Sequence, residues 1–127
     1  MTPEERLIRY AKINTVSDPE SPTVPSSACQ LDLLKVLKAE MEQMGIQEVR
    51  EDRGYLYGRI PSNLDFEVPT VGFIAHMDTA PDFCGEGVNP RIVSNYDGKD
   101  IQLNDQITLK VSDFPNMQRY VGQDLIV

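Results

Sequence analysis

The run Val71-Gly72-Phe73-Ile74-Ala75 constrains this chain more than any other stretch, because it offers no polar face to turn towards water. It is short and rich in strand formers, the pattern of a β-strand covered on both faces. A strand of that kind predicts an α/β fold, with a mixed, mostly parallel sheet flanked by helices. The run then breaks into His76-Met77-Asp78, and Pro81 signals a loop. Open α/β sheets place their chemistry at the carboxyl ends of such strands, where loops line a crevice.

The spacing within the break matters. Side chains two apart on extended backbone point to the same side. His76 and Asp78 are therefore expected side by side, with Met77 turned into packing. A carboxylate next to an imidazole accepts one ring N–H, fixes the tautomer and aims the other nitrogen at a metal or a proton. His76 is the one histidine of the chain, so any imidazole chemistry falls to it. A bare His-x-Asp more often describes a turn-opening aspartate beside a partly exposed ring, since three residues are too few to be selective; context has to favour the site reading.

The flanking elements fit an α/β order. Thr2-Pro3-Glu4-Glu5 starts a helix, with Thr2 as cap, Pro3 at the first helical position and Glu5 completing a capping box. Leu7, Tyr10 and Ala11 continue it to about residue 13. Asn14 to Ser27 carries three X-Pro steps among Ser and Thr and is expected to be an ordered surface loop. Ser27 with Gln30 offers a second capping box for a helix whose stripe is Leu34, Leu37, Met41 and Met44, ended by Gly45. Ile46–Glu51 and Tyr55–Ile60 are predicted as a hairpin about Asp52-Arg53-Gly54. Beyond Asp78, short strands are expected at Arg91–Ser94, Ile101–Leu103 and Ile107–Val111, with a helical turn between Ser112 and Tyr120. The closing Leu125-Ile126-Val127 has the pattern of another buried strand at its opening, so the chain is expected to be a fragment of a longer protein.

Charge and cysteine content narrow the function class. A net charge of −8, spread along 127 residues, argues against nucleic acid, which rewards clustered Lys and Arg. No apolar run is long enough to span a bilayer, and the start lacks a secretion-signal pattern, so the expected compartment is the cytoplasm. Cys29 and Cys84 are expected as free thiols rather than a disulfide framework.

From Gly72 to Phe83 (Gly-Phe-Ile-Ala-His-Met-Asp-Thr-Ala-Pro-Asp-Phe), then Asn89-Pro90-Arg91-Ile92-Val93 and Tyr96-Asp97-Gly98-Lys99-Asp100-Ile101, the sequence resembles the peptidase T family. Those enzymes are cytoplasmic tripeptide aminopeptidases among the two-zinc metallopeptidases. Val24-Pro25-Ser26-Ser27, Leu37 to Gly45 and Gln118 to Val127 extend the likeness along essentially the whole chain. The resemblance implies that residues 1–127 are an amino-terminal portion of the zinc-dependent catalytic domain. His76 matches a histidine that binds one of two zinc ions, and Asp78 matches the active-site aspartate that orients it. Cobalt or manganese can stand in for zinc with such ligands.

The family's bridging aspartate, glutamate base, other carboxylate ligands and second histidine match no position here. Asp82 and Glu86 match no ligand either, and Cys84 has no family role as ligand or nucleophile. A catalytic zinc wants about three protein ligands plus water. The expected partners are a short peptide substrate and the remainder of the catalytic domain, with no nucleic acid and no membrane, and a homo-oligomer of the full-length protein is left open. The fragment alone is expected to be inactive. Two other readings stand beside this one: a related zinc amidohydrolase (dipeptidase, deacylase or carboxypeptidase), and a non-catalytic interaction module.

Overall fold

The computed structural model describes residues 1–127, which form two compact units. One unit comprises Met1–Lys12 with Asn89–Val127, and the other Ile13–Val88.

In the first unit, helix α1 (Pro3–Ala11) begins as the sequence dictates. The Glu5 amide donates to Thr2 Oγ1 at 3.3 Å, the Thr2 amide donates to Glu5 Oε2 at 2.8 Å, and Pro3 occupies the first turn. The rest of the unit is built from two-residue strands. Strand β3 (Ile92–Val93) pairs antiparallel with β6 (Leu125–Ile126), and β4 (Ile101–Gln102) pairs antiparallel with β5 (Thr108–Leu109). A 3-10 helix spans Pro115–Tyr120, where a helical turn was expected. Tyr96, Ile101 and Met117 form the buried centre, with Val93, Leu109, Leu125 and Val127 packed around them. The buried Tyr96 hydroxyl is satisfied by donating to the Lys99 carbonyl at 2.6 Å.

In the second unit, helix α2 (Gln30–Gln43) presents Leu33 and Leu34 to the interior. Its start differs from the expected capping box: Cys29 is the N-cap, no side chain caps the helix, and the Gln30 amide instead bonds the Ser27 carbonyl at 3.3 Å. Gly45 ends the helical segment at φ 75°, a conformation that penalises any Cβ. The predicted hairpin forms from β1 (Gln47–Asp52) and β2 (Tyr55–Arg59), antiparallel through a turn with Arg53 at φ 50° and Gly54 at φ 81°. Two positive-φ residues match the right-handed twist of the strands they join. A register shift between Gln47 and Arg50, with Glu48 at φ 53°, marks a bulge.

The mostly parallel sheet expected from Val71–Ala75 is not seen. Every strand pair is antiparallel, and the single parallel pairing is an isolated bridge between Val16 and Thr79. Residues 71–75 take no strand assignment; Phe73 is 96% and Ile74 100% exposed. The physical reason is partner availability. A parallel ladder needs a neighbouring strand supplied through a crossover of a dozen or more residues, and no strand of this chain pairs with residues 71–75.

Candidate functional site

His76 and Asp78 come together as their spacing predicts. Imidazole Nδ1 lies 3.1 Å from Asp78 Oδ1. In the neutral tautomer that this contact favours, Nδ1–H donates to the carboxylate and Nε2 keeps its lone pair. Met77 is half-buried. The pair is nevertheless open: the His76 side chain is 84% exposed and that of Asp78 44%. A cavity of about 670 Å³ lies in the other unit, lined by residues such as Ile92, Met117 and Leu125.

Two observations bear on whether a metal fits. An imidazole with one nitrogen held by a carboxylate and the other available is the donor unit that zinc proteins use. No group of three or more His, Cys, Asp or Glu side chains converges anywhere in the chain. The donor set therefore fits one coordination position and its orienting partner, and no more. Asp82 and Glu86 are exposed loop acids. Cys84 is an exposed free thiol whose Sγ accepts the Glu86 amide at 3.4 Å, and Cys29 is likewise free.

What sequence reasoning missed is the support behind the pair. The extended segment 14–17 lies against the backbone that follows Asp78. The Thr79 amide donates to the Thr15 carbonyl at 3.1 Å, and the Ser17 amide donates to the Thr79 carbonyl at 2.9 Å. The Ser17 hydroxyl donates to that same carbonyl at 3.0 Å. Thr15 is 3% exposed, and the Asn14 side chain caps the Val16 amide at 3.0 Å. Gly85, in the next loop, approaches so closely that a Cβ there would sit 2.6 Å from Asn14 Oδ1. The Thr15-Val16 pair, β-branched within a Ser/Pro-rich loop, was the available signal.

An exposed His–Asp pair carries no reaction by geometry alone, so what the chain is similar to bears on its function. No family model matches the chain. Curated proteins named Peptidase T do. One from Lysinibacillus sphaericus is 51% identical over 123 residues, one from Clostridium perfringens 49%, and one from Desulfitobacterium hafniense 47% over 124 residues. Each alignment takes in 96% of this chain and 30% of the relative, so the chain spans about a third of the length of the curated relatives it matches. At about half identity along nearly all of its residues, the chain is similar to curated proteins named Peptidase T, the likeness that the segments around His76, Pro90 and Gly98 had indicated.

Proposed function

We propose that this chain is the amino-terminal portion of the catalytic domain of a metal-dependent aminopeptidase that releases the amino-terminal residue from tripeptides. The observation that carries this reading is the 47–51% identity to peptidase T over 96% of the chain. His76 is the chain's metal ligand, through Nε2. Asp78 is the active-site carboxylate that holds the ring's other nitrogen and raises its basicity. When bound, a zinc centre supplies a Lewis acid for the scissile carbonyl and a water acidic enough to ionise near neutral pH. The remaining ligands and the proton-accepting base come from residues outside these 127. The substrate is a short peptide, and the working compartment is the cytoplasm.

The test uses the longer protein. Purified and loaded with zinc, it should release free amino acid from the amino end of tripeptides. A chelator should abolish release, zinc should restore it, and His76→Ala should be inactive at every zinc concentration. Hydrolysis of N-acyl amino acids in preference to tripeptides would overturn the aminopeptidase reading in favour of an amidohydrolase. No hydrolysis of either would overturn both. The 127-residue chain alone should hydrolyse neither, because one imidazole leaves a catalytic zinc about two protein ligands short.

A further inference from the structure

We infer that segment 14–17 is a positioning clamp for the candidate site, with Ser17 as its key side chain, acting through the backbone of Thr79 on Asp78 and so on the His76 tautomer. This inference rests on the reading of His76 and Asp78 as the site pair. The Thr79 N–H shares its peptide plane with the Asp78 carbonyl carbon, so the bond to the Thr15 carbonyl fixes the plane that leaves Asp78. On the other side of Thr79, its carbonyl receives both the amide and the hydroxyl of Ser17, at 2.9 and 3.0 Å. Both peptide planes flanking Thr79 are therefore pinned to a segment 62 residues away in sequence.

The pinning segment is itself anchored. Asn14 Oδ1 holds the Val16 amide at 3.0 Å. The Val16 carbonyl accepts Gln30 Nε2 at 3.5 Å, a weak bond, and Gln30 is 8% exposed at the start of α2. Gln30 Nε2 also reaches Ser26 Oγ at 3.2 Å, and Ser26 Oγ accepts the Asp18 amide at 3.1 Å. The clamp thus ties the loop after Asp78 to the first turn of a helix. This matters because the pair itself has little else to hold it: with a ring 84% exposed, packing does not fix the imidazole, and the carboxylate's position must.

Because His76 is the one histidine, its two ring nitrogens can be read without ambiguity in a ¹⁵N-labelled, metal-free chain. The wild-type chain should carry the proton on Nδ1. Ser17→Ala should lower the ratio of the Nδ1–H to the Nε2–H form measurably and by no more than about tenfold, the ceiling that one hydrogen bond sets. Ser17→Thr, which keeps the hydroxyl, should restore it, and Asn14→Ala should shift it in the same direction as Ser17→Ala. The thermal midpoint of Ser17→Ala should fall by no more than about 6 °C, the loss of one hydrogen bond in a chain of this size. An unchanged ratio in both Ser17→Ala and Asn14→Ala overturns the clamp and leaves the peptidase reading intact. A shift that Ser17→Thr does not rescue, accompanied by a large fall in midpoint, overturns it as well, because that is general loosening. Failure of the longer protein to cleave tripeptides, with the tautomer behaving as stated, overturns the peptidase reading alone.

Discussion

Ile74 is fully exposed in this chain, although its neighbours spell a buried strand. If residues 71–75 become a covered strand in the longer protein, Ile74→Ala should cost nothing here and a good deal there. The magnitude follows from the atoms removed. Ile to Ala deletes three carbons, at about 0.8 kcal/mol each, or about 2.4 kcal/mol of transfer free energy. A cavity that fails to collapse carries the total into the range of about 2–5 kcal/mol. In the 127-residue chain the same carbons already face water, so the change should stay within about 0.5 kcal/mol. Urea unfolding followed by circular dichroism, run on both lengths with and without the substitution, measures the difference directly. Equal shifts in the two proteins, or no shift in either, would refute the assignment of this segment as a strand awaiting neighbours.

Other perturbations test single contacts. A Cβ added at Gly58 would press on the Met41 methyl and lie 2.7 Å from Ile46 Cγ2. The thioether can swing away but the β-branched Ile46 cannot, so Gly58→Ala should destabilise by about 1–3 kcal/mol, and Ile46→Ala in the same chain should recover part of it in denaturant titrations. Tyr96→Phe removes the bond to the Lys99 carbonyl and should cost about 0.5–1.5 kcal/mol by the same measurement. Burial, with Asp97 and Asp100 adding repulsion, pushes the Tyr96 phenol above its ordinary value. The stability tied to the neutral phenol is complete below the ordinary tyrosine pKa of about 10 and is lost as pH rises through the raised value. Near-ultraviolet circular dichroism should show that alkaline step, and Tyr96→Phe should abolish it. Hydrogen bonds from Lys99 hold the Asp97 carboxylate below its usual range, so this contact contributes above the ordinary aspartate pKa and fades as pH falls through the lowered one. Asp97→Asn should flatten that acid limb.

How much of this was legible in sequence follows from how far apart the interacting residues lie. Thr2 and Glu5 cap α1 across three residues, and Arg53-Gly54 closes its hairpin across two strands adjacent in sequence; both were readable because every determinant sits in one window. The pairing of Ile92 with Ile126 and the bridge of Val16 to Thr79 join distant residues, and nothing in the local pattern of either names its partner. The same distinction divides the candidate site. His76 and Asp78 meet at 3.1 Å even though no ladder holds residues 71–75, since extended backbone by itself puts positions two apart on one side. A cleft is a long-range object, and with the imidazole 84% exposed the pair forms here without one enclosing the ring. If residues 71–75 are covered in the longer protein, an enclosure for the pair would be built over Phe73 and Ile74, which is why removing carbons from Ile74 there is a more searching test of the fold than any change at the pair itself.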